Sequence, residues 1–163
     1  MLRLTGAALL IGASLLIQGE LVARGRERQR TLRALSDAFL ALEHAVRLTL
    51  TPLPALLRTL SCEGAARRFF DAVLEGLARG ETLPAAWRRS AAALPLGERE
   101  REAAAALGEM LDSGEETVCT ALAQTSRTLA EMEGALAAAA PQRSRVTAAL
   151  CLGGGTLLVI VLL

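Results

Sequence analysis

The sequence predicts an all-α protein: a compact antiparallel bundle of about six helices, flanked by an N-terminal and a C-terminal transmembrane helix. Apolar residues recur at spacings of three and four, with no strand-like alternation. Gly and Pro breaks divide the chain into short segments, and both ends are almost uncharged. The composition is 52% apolar and 21% charged, which is typical of a chain divided into apolar and charged parts.

We predict three parts: a transmembrane anchor at 1–23, a helical domain at 24–145 and a second anchor at 146–163. The last eighteen residues carry no charge, and a helix of that length spans about 27 Å, close to the bilayer core. Near the start, Leu4–Ala23 contains one charge, Glu20. A cleaved signal peptide is the alternative for this segment, but no A-x-A cleavage site is present.

Basic residues flank both predicted anchors and set the predicted topology: Arg24, Arg26, Arg28, Arg30 and Arg33 follow the first, and Arg143 and Arg145 precede the second. Because basic residues near membrane ends stay on the cytoplasmic side, we expect an integral protein of the cell membrane whose helical domain faces the cytoplasm.

Pairs of small residues four positions apart occur in both anchors, Ala8 with Gly12 and Ala149 with Gly153. This spacing allows helices to approach closely, so self-association through the anchors is one interpretation. Ordinary lipid-facing helices are the other.

The first helix of the domain continues from the first anchor, with an apolar stripe at Leu32, Leu35, Phe39, Leu42, Val46 and Thr49. A short second helix begins with Thr51 as the N-cap and Pro52 in its first turn, and ends at about Ser61.

Four more helices follow at Gly and Pro breaks. The third is predicted over Ala65–Arg79, with Gly80 at its C′ position. The fourth is capped by Thr82 and ends at Pro95, the fifth covers about Gly97–Asp112, and the last begins at Glu115, with Pro141 kinking or interrupting it.

The residue types that support catalysis or metal binding are scarce and scattered. His44 is the only histidine, and the three cysteines, Cys62, Cys119 and Cys151, have no ligand spacing. We therefore predict no catalytic residue, metal or cofactor, and reduced, buried thiols. Eighteen basic and seventeen acidic residues nearly cancel, which argues against nucleic-acid binding.

Glu98–Glu102 alternates in charge sign. A solvated helix start with intrahelical ion pairs is one interpretation. A docking face for a cytoplasmic partner is the other.

The order of several segments resembles the stage III sporulation protein AB family of endospore-forming bacteria. The most specific are TPLP at 51–54, GET at 80–82 followed by Trp87, and LGE at 107–109. This resemblance implies a non-enzymatic membrane scaffold of the secretion-like channel complex between mother cell and forespore, with the domain in the mother-cell cytoplasm. The implied partners are a secretion-type sporulation ATPase and channel-ring membrane proteins.

The family is in turn similar to the cytoplasmic helical domain of F-type platform proteins of type II secretion, through the pattern L-x-x-G-x-x-L-x-x-A at 77–86. The two resemblances imply candidate partner-docking or helix-joint residues: Leu77, Gly80, Glu81, Leu83, Trp87, Leu107, Gly108 and Glu109.

Two other functions stay open on the sequence. One is an inner-membrane platform protein of a pilus or type II secretion-like system, although those chains usually have duplicated domains. The other is a small membrane enzyme acting on lipid-linked substrates, for which Glu20 is the one acidic residue within an anchor.

Overall fold

The computed structural model describes the backbone of residues 2–48 and 52–162, and the side chains of residues 19–20, 22–48 and 52–139. Within these residues the chain is all-α, as predicted, and contains no strand. The helices are α1 (Leu2–Leu48), α2 (Leu53–Thr59), α3 (Gly64–Ala78), α4 (Leu83–Ala92), α5 (Glu98–Met110) and α6 (Glu115–Leu162).

The helix positions agree with the sequence prediction to within about two residues at most ends. The first helix of the domain is continuous with the N-terminal segment, as the unbroken apolar stripe predicts. Pro84 lies in the first turn of α4. Thr82 is the N-cap residue of α4, as predicted, but its side chain makes no capping hydrogen bond. The carbonyl of Thr82 accepts the first hydrogen bond of the helix, from the N–H of Ala86 at 3.0 Å.

Of the two predicted effects of Pro141, the interruption is wrong, because α6 runs without a break to Leu162, and the kink stays a prediction. An internal proline removes one backbone hydrogen bond. Four consecutive alanines, at 137–140, precede it, and alanine has the highest helix propensity of all residues. The neighbouring turns are therefore able to continue the helix through the proline.

The helices pack in a closed ring around one core. Helix α1 packs on α3 and on α6, α3 packs on α4, α4 on α5, and α5 on α6. The short α2 packs against α1 and α3. The largest fully buried side chains come from all six helices: Trp87, Phe39, Phe70, Leu32, Leu35, Leu42, Leu57, Leu107, Leu122, Leu129 and Val73.

Helices α1 and α6 are antiparallel, and a buried serine pair fixes their register. The hydroxyl of Ser36 donates to the carbonyl of Ser126, and the hydroxyl of Ser126 donates to the carbonyl of Ser36, each at 3.0 Å. Nearer the start of α1, Gln29 donates to Glu133 at 2.8 Å. Both pairs have the same register, which places Arg24 level with Ala138. The segments leading to the two predicted anchors therefore lie at the same end of the bundle.

No helix in the described part of the chain is long and apolar enough to cross a membrane. This finding covers only the described residues. The two flanking transmembrane helices stay predictions. Several residues of the sequence analysis lie outside the residues whose side chains the structure describes: Ala8, Gly12, Thr49, Thr51, Arg143, Arg145, Ala149, Cys151 and Gly153.

Candidate functional site

The joint between α3 and α4 is a Schellman turn built on Gly80. The N–H of Glu81 donates to the carbonyl of Gly76, and the N–H of Gly80 donates to the carbonyl of Leu77, both at 3.0 Å. Gly80 has φ +85°, a left-handed conformation that side chains with a Cβ rarely adopt. The predicted C′ position of Gly80 is confirmed.

Glu81 connects the end of α3 to α4 through two arginines. Its Oε1 accepts from Arg79 Nη2 at 3.3 Å, and its Oε2 accepts from Arg89 Nε at 3.1 Å. Arg79 also pairs with Glu75 at 2.9 Å. These charged groups are half-buried or exposed, so the pairs orient the joint more than they stabilise it.

Helices α3 and α4 approach closely at Gly76, a residue that the sequence analysis did not single out. A Cβ at Gly76 would lie 2.8 Å from the Cβ of Ala86 and 2.7 Å from Nη2 of Arg89. Ala86 is fully buried against it. The small residues at both positions therefore set the separation of the two helices, while Leu77 and Leu83 pack half-buried against the core beside them.

Trp87 lies at the centre of the core, where all four aromatic residues of the chain meet. Its indole stacks on Phe39 with centroids 5.9 Å apart, and meets Phe69 edge-on at 4.9 Å. Phe70 completes the cluster, edge-on to Phe39 at 6.2 Å. One tryptophan thus connects α1, α3 and α4.

Trp87 also fixes α5. Its Nε1–H donates to the carbonyl of Ala104 at 2.8 Å, which satisfies the only polar atom of a buried indole. One helical turn later, the ring lies directly on Gly108, where a Cβ would be 2.6 Å from Cδ1 of Trp87. Leu107 beside it is 1% exposed. Trp87 and Gly108 therefore form one close contact between α4 and α5.

The candidate residues thus separate into a buried joint and an accessible rim. Trp87, Leu107 and Gly108 are buried, so a partner could reach them only if the bundle opened. Gly80 and Glu109 are exposed, and Glu81 is half-exposed. Glu109 pairs with Arg88 of α4 at 3.1 Å across the surface. Partner docking by this rim stays a prediction.

The model of the family described as stage III sporulation protein AB matches residues 3–163, almost the whole chain. The chain belongs to the stage III sporulation protein AB family. A solved structure of a stage III sporulation protein AB superposes on it with a TM-score of 0.59 at 23% identity. The superposition covers 71% of this chain and 97% of that chain, and at this identity it shows a shared fold. No curated protein matches the chain.

In this member of the stage III sporulation protein AB family, an ion pair that sequence reasoning missed joins α1 to α5. Arg28 Nε donates to Glu100 Oε2 at 2.9 Å, and Arg28 Nη2 donates to Oε1. The N–H of Gly97 also donates to Glu100 Oε2, at 2.5 Å. Glu100 is 4% exposed, so the interpretation as a solvated helix start is wrong at this position, and docking by the exposed residues of the charged run stays a prediction. A Glu three residues after an N-cap glycine is a capping pattern that would have indicated the Gly97 contact.

The arginines that follow the first predicted anchor fall on different sides of α1. Arg28 faces the bundle and pairs with Glu100, and Arg24 pairs with the exposed Glu20 at 2.6 Å. Arg26, Arg30 and Arg33 are exposed to solvent. Their role in setting topology stays a prediction.

The described side chains offer little reactive chemistry in this family member. His44 is exposed on α1. Burial raises the pKa of the Cys62 thiol and of the Cys119 thiol, and nearby arginines oppose that shift less strongly. Among the described residues, no three histidine, cysteine or acidic side chains gather in a group that could hold a metal ion.

Proposed function

We propose that the chain is a non-enzymatic membrane scaffold of the secretion-like channel complex between mother cell and forespore. In this proposal it is held in the cell membrane by residues 1–23 and 146–163, and its helical domain at 24–145 faces the mother-cell cytoplasm. There it docks a secretion-type sporulation ATPase to channel-ring membrane proteins.

The observation that carries the proposal is the antiparallel pairing of α1 and α6. The reciprocal bonds between Ser36 and Ser126 lock the register of the two longest helices. The same register brings Arg24 level with Ala138, so the chain enters and leaves the bundle at one end. A bundle attached in this way presents its opposite end and its flanks to the cytoplasm.

Membership of the stage III sporulation protein AB family supports a role in sporulation. The interior supports a rigid body: Trp87 connects α1, α3, α4 and α5 through ring contacts and one hydrogen bond. A rigid domain can hold partners at a fixed distance from a membrane without catalysing a reaction. The accessible rim at Glu81 and Glu109 is the proposed docking surface.

The test is site-specific photocrosslinking in sporulating cells, with the full-length, tagged chain. A crosslinking side chain replaces Glu109 or, in a second strain, Glu81. Gln124 is the control position, because it is exposed on α6, a helix that carries none of the rim residues. Recovery of a secretion-type ATPase from the rim positions but not from Gln124 is the expected result.

Other outcomes contradict the proposal in different ways. Recovery of pilus subunits would assign the chain to a pilus platform. A chain that yields no crosslinked protein from either rim position, while folded and in the membrane, would refute docking by this surface.

A further inference from the structure

The solvent-facing side of α1 carries a stripe of three arginines next to the proposed membrane face. Arg26, Arg30 and Arg33 are spaced by four and three residues, so they lie within about 60° of one another around the helix axis. All three are exposed. Arg28 lies on the opposite side of α1, where it pairs with Glu100.

Four acidic side chains close to this stripe are engaged elsewhere, and a fifth, Asp37, is exposed four residues after Arg33. Glu20 pairs with Arg24 at 2.6 Å, and Glu27 lies 3.7 Å from Arg68 of α3. Glu100 is held by Arg28, and Glu133 accepts from Gln29. Within the described part of the chain, none of the three stripe arginines lies in an ion pair. Asp37 offsets part of the charge at the Arg33 end of the stripe, whereas no acidic side chain among the described residues pairs with Arg26 or Arg30.

The first part of the stripe along α1 lies near the depth of a lipid headgroup layer. Arg26 is three residues beyond the end of the predicted anchor and Arg33 is ten, which corresponds to about 5 Å and about 15 Å along a helix. Helical side chains lean toward the N-terminus, that is, back toward the proposed membrane. Screening at physiological salt acts over about 8 Å, so Arg26 and Arg30 lie within range of headgroup charges.

We infer that Arg26, Arg30 and Arg33 form a contact surface for anionic phospholipid headgroups, which rests on the proposed membrane attachment. Guanidinium groups bind phosphate oxygens through two hydrogen bonds at once, and basic residues beside a membrane are attracted by anionic lipid. The contact orients the bundle, because the stripe occupies one side of α1 and draws that side toward the bilayer.

The probe is an equimolar mixture of phosphatidylglycerol and phosphatidylcholine, added in neutral detergent to the tagged, full-length chain. The chain is recovered by its tag and the bound lipids are quantified. We expect phosphatidylglycerol to be enriched about fivefold over phosphatidylcholine, and the enrichment to decline at high salt.

Two triple variants distinguish lipid binding by the stripe from an effect of general positive charge. In the first, Arg26, Arg30 and Arg33 are each changed to Gln. In the matched control, the changes are Arg58→Gln, Arg99→Gln and Arg127→Gln, which remove three exposed arginines elsewhere. The first variant should bring the lipid ratio to about one, and the control should leave it near the wild-type value.

A carbonate wash of the membranes distinguishes failure of the inference from failure of the proposed function. A chain that resists extraction but shows no enrichment, or loses it equally in both variants, refutes the lipid contact alone. A chain that carbonate extracts refutes the membrane attachment as well. If an acidic protein co-purifies with the wild type and not with the stripe variant, and the lipid ratio is one, the surface binds protein instead.

Discussion

Glu100 of α5 and Arg28 of α1 stand 72 residues apart in sequence and form a two-point ion pair at the edge of the core. Glu100 Oε2 accepts a third hydrogen bond, from the N–H of Gly97. One carboxylate therefore stabilises the start of α5 and attaches that helix to α1, with which it makes few other contacts.

Arg28→Gln should lower the free energy of unfolding by about 2 kcal/mol, because it leaves the buried Glu100 carboxylate without its guanidinium. The value is below that of a fully buried pair, since the Arg28 side chain is 36% exposed. Urea unfolding of the full-length chain, followed through the fluorescence of Trp87, measures the change.

A matched control for this variant lies one turn earlier on the same helix. Arg24→Gln breaks the exposed pair with Glu20 and should change the free energy of unfolding by less than about 0.5 kcal/mol. Equal losses of unfolding free energy for the two variants would contradict a larger contribution from the pair of Arg28 with Glu100.

Gly108→Ala should destabilise the bundle by about 2 kcal/mol, because the new methyl group would overlap the indole of Trp87. Gly134→Ala is the control: Gly134 is exposed within α6, and a Cβ there would meet nothing within 4 Å. This control should gain about 0.5 kcal/mol from helix propensity. Urea unfolding of both variants gives the two values, and opposite signs are the expected result. A gain at Gly108 would contradict the close contact.

Gly80→Val should cost about 1 kcal/mol or more, because Gly80 has φ +85°. No atom lies within 4 Å of a Cβ built there, so the cost comes from the backbone conformation rather than from a clash. Gly80→Asn should recover much of the loss, since asparagine tolerates the left-handed region. Thermal unfolding of the three chains compares them, and an unchanged melting temperature for Gly80→Val would refute the role of the turn.

The positions of the helices could be predicted from local signals. Apolar spacing in α1 and the glycine and proline breaks around α3 and α4 are properties of a few neighbouring residues. The C′ position of Gly80 follows from the same kind of local signal. At these positions the neighbouring residues are sufficient to predict where a helix begins and ends, because no contact with a distant segment decides it.

The pairings between helices could not be predicted in the same way. Ser36 and Ser126 are small polar residues that in sequence look like solvent-facing positions, yet they meet in a buried crossing. Glu100 lies in a run of alternating charge, and nothing local indicates that Arg28 is its partner. Such contacts depend on how α1 is placed against α5 and α6, which the packing of the whole core decides.

Cys119 should react slowly with alkylating reagents in the folded chain. Burial raises the pKa of its thiol above the ordinary value of 9.0, and Arg47 opposes this only in part. The reactive thiolate is therefore scarcer at pH 8 than in an unfolded chain. In a chain with Cys62→Ser and Cys151→Ser, iodoacetamide should modify Cys119 about tenfold more slowly before unfolding in urea than after it.

The sign of the pH dependence follows from the same shift. Because the folded state holds the thiol proton more tightly, the stabilisation linked to it is fully present below pH 9.0, the ordinary pKa of the group. That stabilisation is lost as the pH rises through the higher pKa of the folded state, so the urea midpoint of the Cys119 chain should fall in that range.

The control for the alkylation experiment is a chain that keeps only Cys62, which is less buried, and its alkylation should be faster. Equal rates at the two cysteines would mean that the packing of α6 against the bundle does not shield Cys119.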